Sequence, residues 1–185
     1  MQRIKSFYII LLTALIFVSC KDDQKANQNN NQGVVSTFYF IRHAEKDRSD
    51  SENTDPELNQ RGLGRAMHWA EILKDVELDV IYTTDYQRTS MTAAPTAVKQ
   101  ELDVKYYEPQ NVNIEQFKAD NLGKNVLVVG HSNTTPDFVN KMIDIDLYYE
   151  MEDNDNGSLF VVQLINGQAT SQRLHINCNC PKERK

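Results

Sequence analysis

Apolar and polar positions follow each other along this chain with two different periods. Residues 37–42, Thr-Phe-Tyr-Phe-Ile-Arg, are mostly apolar, aromatic or β-branched, the pattern of a buried strand. Residues 61–73 change the period: Leu63, Ala66, Met67, Ala70 and Leu73 recur at helical spacing and predict a helix with these five on its inner face. The alternation continues with a strand at 79–83, a helix at 86–98, a weak strand at 104–107, a short helix at 114–119 and a strand at 126–130. A further helix starts near Asn133 or Thr134, with Pro136 in its first turn, where a missing N–H costs little. Two last strands, 159–164 and 169–176, flank Asn166-Gly167, a strong signal for a tight hairpin. This order predicts an α/β fold: a three-layer sandwich with a mostly parallel central sheet, helices on both faces and an antiparallel C-terminal hairpin.

The first residues follow neither period. Arg3 and Lys5 precede an apolar run from Phe7 to Val18, which is shorter than the ~20 residues of a comfortable membrane span. Val18-Ser19-Cys20 then offers small residues before a cysteine, so residues 1–19 read as a signal peptide of the bacterial lipoprotein type, with Cys20 as the lipidated residue. Residues 20–33, rich in Asn, Gln and Asp, cannot bury enough surface to order themselves and read as a tether. The remaining stretch, 34–185, suits one domain. The expected location is the bacterial cell envelope, held through the N-terminal lipid, at the outer membrane or cell surface.

Charge narrows the partners. The formal charge is −6, and it becomes −8 once residues 1–19, whose only charges are Arg3 and Lys5, are removed. An acidic chain without a basic stripe argues against nucleic acid. Any anion site must be a local concentration of cations. Cys178 and Cys180 leave three readings open: a tight bridge across Asn179, free thiols, or half of a metal site.

The candidate chemistry sits where the pattern changes from strand to loop. Arg42-His43-Ala44-Glu45 leaves the first strand, and Gly130-His131-Ser132-Asn133 leaves strand 126–130. Open α/β sheets collect ligand groups at the carboxyl ends of their strands. Histidines among guanidinium groups suit a phosphate, because arginine forks bind the dianion and a neutral imidazole nitrogen can attack phosphorus. His68 and His175 read as structural or exposed, and no pair of histidines shows a zinc-binding spacing, so neither a metal nor another cofactor is expected.

These motifs resemble the histidine phosphatase superfamily, which includes the phosphoglycerate mutases. Arg42-His43-Ala44 is similar to the Arg-His-Gly signature, with Ala44 in place of glycine. The stretch from Leu58 to Ala66 resembles the family's "leucine-threonine … glycine … glutamine-alanine" helix start, and Tyr82 to Ala93 resembles the segment with the second phosphate-binding arginine, here Arg88. Gly130-His131 supplies the second histidine. The resemblance implies that His43 is the nucleophile, that Arg42 and Arg88 hold the phosphoryl oxygens, and that His131 donates to one of them.

A leaving alkoxide also needs a proton. Mutase-like relatives take it from a glutamate between the second arginine and the second histidine. Glu108 is the first choice here, with Glu115 and the acidic residues 150–155 behind it. Ser132 stands where another branch of the superfamily has an acid aspartate, which disfavours that branch. By spacing, Ser49 stands where mutase-like members have a substrate-binding asparagine, and Asn133 is a further candidate contact. The expected activity is a metal-independent phosphatase acting on a phosphorylated small molecule or phosphoprotein through a phosphohistidine. The alternatives are a phosphate-binding lipoprotein without turnover and a mutase-type phosphotransferase.

Overall fold

The computed structural model describes residues 33–180. The expected signal peptide, Cys20 and the tether up to residue 32 lie outside the described residues, as do residues 181–185.

Strand β1 (Val35–Arg42) is followed by helix α1 (Gln60–Ile72), β2 (Val80–Thr83), α2 (Gln87–Gln100), β3 (Val104–Tyr106), α3 (Ile114–Asp120), β4 (Asn125–Gly130), α4 (Thr134–Ile143), β5 (Ser158–Ile165) and β6 (Gln168–His175). They build one sheet of order β3-β2-β4-β1-β5-β6. The first four strands in that order run parallel, while β5 is antiparallel to β1 and β6 antiparallel to β5. The predicted α/β architecture, with its antiparallel hairpin, is therefore the observed one. Asn166 and Gly167 both take left-handed φ values, 52° and 82°, as a tight two-residue turn with the twist of the strands requires.

Strand alternation divides the core. Phe38 and Phe40 of β1, with Val126 and Val128 of β4, pack against Phe117 of α3 and Phe138, Val139 and Met142 of α4. Their neighbours Ile41, Leu127 and Val129 point the other way, onto Trp69 and Leu73 at α1 and Ala93 and Ala97 of α2. β1 and β4 are thus apolar on both faces because both faces are covered by helices.

The inner face of α1 differs from the one expected. Leu63 and Met67 are exposed, at 40% and 63%, and the buried residues are Gly62, Arg65, Ala66, Trp69 and Ala70. Two local contacts turn the helix. A Cβ at Gly62 would lie 2.1 Å from the Glu45 carbonyl oxygen, so the helix approaches the loop after β1 more closely than another residue permits. Arg65 is drawn inward by a bidentate pair with Glu45, Nε–Oε2 2.9 Å and Nη2–Oε1 2.8 Å. Hydrophobic periodicity cannot anticipate a face organised by an ion pair and a glycine contact.

Beyond β6, Cys178 and Cys180 are joined as a disulfide, with Cα atoms 5.1 Å apart.

Candidate active site

The carboxyl ends of β2, β4 and β1 lie side by side. Arg42 is in register with Gly130, and Thr83 with Val129, so the residues that follow these strands emerge at one level. The first residues beyond the ends are His43, Thr84 and His131. His43 is fixed by its own backbone: its N–H donates to Gly130 O at 2.9 Å, and its carbonyl accepts from Asn156 Nδ2 at 2.9 Å.

Around these ends lies a cavity of about 510 Å³ whose lining includes Arg42, His43, Lys46, Thr84, Tyr86, Arg88, Glu108, His131, Asn133 and Asp153. The imidazoles of His43 and His131 meet edge-on in its lining, ring centres 5.5 Å apart. Of the expected residues, Arg42, His43, Arg88, Glu108, His131 and Asn133 are therefore brought to one cavity. Ser49 is not among them. It lines an adjoining cavity of about 900 Å³, which shares His43, Lys46 and Asp153 with the first. The charged loop from 46 to 57 carries it aside, its N–H accepted by Asp47 Oδ1. Glu115 is away from both cavities, exposed and paired with Lys118.

The hydrogen bonds of His43 define its protonation. Nδ1 lies 2.8 Å from Ala44 O, which can only accept, so Nδ1 carries the proton. A neutral ring then keeps its lone pair on Nε2. Burial lowers the His43 pKa from 6.5 to about 3, aided by the charges of Arg42 and Arg88 against the raising effect of the Ala44 hydrogen bond. His131 is lowered to about 4, again chiefly by burial, then by Arg88 and Arg42. Both rings are neutral near pH 7.

A chain of hydroxyls orients His131. Thr89 Oγ1 donates to the carbonyls of Thr84 and Tyr86, so its oxygen is left to accept from Thr84 Oγ1 at 3.0 Å. With its own proton so used, Thr84 Oγ1 accepts from His131 Nε2 at 2.9 Å. Tyr86 packs edge-on against the same ring, 5.1 Å between centres.

The two arginines are held differently. Arg42 is buried, and its Nη1 donates to the carbonyls of Glu152, Asp153 and Asp155 at 2.9, 3.0 and 3.2 Å. Its Nη2 lies 3.3 Å from Asp153 Oδ1. Arg88 stacks over Tyr86, 4.2 Å from the ring centre, and its Nη1 lies 3.2 Å from Asp55 Oδ1. Asp55 also receives the first N–H of α2, from Gln87 at 3.0 Å, which ties the loop to the helix end that carries Arg88. Among the described residues the buried Nε atoms of both arginines have no hydrogen-bond partner, unusual for guanidinium groups and suited to binding an anion.

Thr84 and Asp55 are contributors that motif reading missed, and Asp153 was covered only as one of the acidic residues 150–155. Thr84 carries a usable signal, because it is the first residue past a strand end, as the two histidines are. Asp55 and Asp153 sit in acidic loops whose composition marks no one residue.

Comparison with known proteins agrees with this geometry. The profile of the histidine phosphatase superfamily (branch 1) matches residues 38–109. No curated protein matches the chain significantly. Among solved structures, the protein histidine phosphatase SixA, determined with tungstate, superposes with a TM-score of 0.60 at 14% identity, covering 75% of this chain and 96% of that one. Phosphoglycerate mutase from Bacillus anthracis gives 0.60 at 15%, covering 77% and 93%. Phosphoserine phosphatase from Entamoeba histolytica, determined with phosphoserine, gives 0.59 at 15%, covering 73% and 94%. At such identities the structural likeness speaks for the fold. The matched segment contains Arg42, His43 and Arg88, and the shared fold delivers His131 beside them. Over residues 38–109 the chain is similar to the histidine phosphatase superfamily, branch 1, and its fold is similar to that of these phosphatases and of the mutase.

Proposed function

We propose that the protein is a metal-independent phosphatase that hydrolyses phosphomonoesters, or phosphohistidine, through a phosphohistidine on His43. One observation carries this reading: His43 Nδ1 is committed to Ala44 O, so a bare, neutral Nε2 is available in a cavity that also holds two arginines and a second histidine. In the first step Nε2 attacks phosphorus in line with the leaving oxygen. The N–P bond forms as the P–O bond breaks, and the leaving oxygen takes a proton. Arg42 and Arg88 stabilise the charge on the phosphoryl oxygens, and His131 exchanges its bond to Thr84 for one of them. Water then attacks the phosphohistidine, releasing inorganic phosphate and restoring the imidazole. The positive charge this requires comes from guanidinium groups rather than a divalent ion.

Glu108 is the proposed proton donor. It lines the cavity from the loop after β3, and its side chain is exposed. The exposure also supports the second reading, phosphate binding without turnover, since an exposed side chain on a loop is not held against a leaving group. The superfamily's acid-activated chemistry is demanding only for poor leaving groups. A substrate such as p-nitrophenyl phosphate therefore separates the two readings. Its hydrolysis should persist in EDTA and be inhibited by orthovanadate. Activity lost to EDTA and restored by zinc or magnesium would overturn the metal-independent mechanism, and no turnover at all would favour the binding protein. Cys20, after an apolar run of signal-peptide length, supports a further proposal: the domain is tethered to the envelope by a lipid.

A further inference from the structure

We infer that Asp153 is a built-in competitor for the phosphoryl site that sets its affinity, and that Arg48 is the positioning residue that holds Asp153 aside when a phosphoryl group binds. The inference rests on the phosphate-binding reading above and concerns how tightly that site binds. A single oxygen, Asp153 Oδ1, is shared between the two arginines, 3.3 Å from Arg42 Nη2 and 2.8 Å from Arg48 Nη2. The carbonyls of residues 152, 153 and 155 already occupy Arg42 Nη1, so Nη2 is the terminal nitrogen left to grip a phosphoryl oxygen. Asp153 Oδ1 stands on that nitrogen. A phosphoryl group and the carboxylate therefore meet on one nitrogen, two like charges in one small cavity, and the nearby carboxylate opposes the incoming dianion.

The contact is not needed to build the loop. Asp155 fixes the chain by accepting from the N–H groups of Gly157 and Ser158, from Ser158 Oγ and from Arg173. Asn156 is bonded to His43 O, and Met151 N–H to Ser132 O. The Asp153 side chain itself is 75% exposed. A carboxylate so exposed adds little to stability, yet it lies on the most buried cation of the site. Its shorter contact is with Arg48, whose own side chain is half exposed and lies on the far side, lining the adjoining cavity. When Arg42 turns to a phosphoryl oxygen, Asp153 keeps the Arg48 bond. Arg48 thus promotes phosphate binding without touching phosphate.

Titration of the full-length protein with inorganic phosphate and with orthovanadate, followed by calorimetry, tests both halves. Asp153→Asn keeps the size and the acceptor oxygen but removes the charge, and it should tighten both ligands about three- to fivefold, the effect of an exposed ion pair. Asp153→Ser should do the same, which controls for packing of the amide. Arg48→Gln should weaken binding by a similar factor in the wild-type background and have no effect in the Asp153→Asn background, because its influence passes through the carboxylate. Unchanged or weaker binding by both Asp153 variants would overturn the competitor role. Equal weakening by Arg48→Gln in both backgrounds would make Arg48 a direct ligand and overturn its positioning role. Failure of every variant, wild type included, to bind either anion would instead overturn the phosphate reading beneath the inference.

Discussion

The two walls of the cavity are built on different principles. On the strand wall, His43, Thr84 and His131 follow three neighbouring parallel strands whose register is set by hydrogen bonds along their length. Their positions are inherited from the core, and burial perturbs the titration of both histidines. On the loop wall, Glu108, Asp153 and, across the adjoining cavity, Ser49 stand on connections between elements and are exposed. Under the proposed mechanism the difference is a division of labour: bond-making groups stand where the sheet sets the geometry, and groups that select, protonate or compete stand where the chain can adjust.

Substitutions on each wall can break this division. The largest effect short of the nucleophile is expected at Glu108. Glu108→Gln should reduce kcat by about a hundredfold on alkyl phosphates, whose leaving group needs a proton, and by less than about twofold on p-nitrophenyl phosphate. Equal losses on both substrates would show a structural role, and no loss on either would move proton donation away from this residue. Arg88→Lys should be milder and uniform. It keeps the charge and loses the planar fork, so kcat/KM should fall about tenfold on both substrate types. A selective loss on alkyl phosphates would blur the distinction between the walls.

The last expected effect is on stability rather than on turnover. Buried His43 and His131 stay neutral in the folded protein down to about pH 3 and 4, whereas in the unfolded chain they protonate near 6.5. Below pH 6.5 the unfolded state binds more protons, so stability falls with acid and returns as pH rises through this window. Denaturant unfolding should show a loss on the order of 2 kcal/mol from each histidine between pH 7 and pH 5. The loss should shrink in His43→Asn. An unchanged midpoint in the wild type would mean that these rings are hydrated rather than buried.

Much of the strand wall could be read from the chain because burial and position leave the same trace. An apolar run that ends in Arg42-His43, or in Gly130-His131, gives both the element and the direction in which its exit points. The loop wall leaves no such trace. Asp55 and Asp153 each stand among several acidic neighbours, and only tertiary contact shows that one holds Arg88 and the other touches Arg42. Ser49 was chosen by spacing along a loop whose path spacing does not determine. The inner face of α1 escaped for a related reason. Its rotation answers to Glu45, Arg65 and the close approach at Gly62, not to the apolar residues Leu63 and Met67.

The central claim is that His43 Nε2 becomes covalently bonded to phosphorus. It is tested most directly by rapid quenching of the protein with a phosphate-labelled monoester, followed by peptide mapping. The account predicts one acid-labile, alkali-stable label on the peptide that contains His43, absent from a folded His43→Ala protein that has also lost turnover by more than about a thousandfold. A label on any other residue, or near wild-type turnover by His43→Ala, would contradict it.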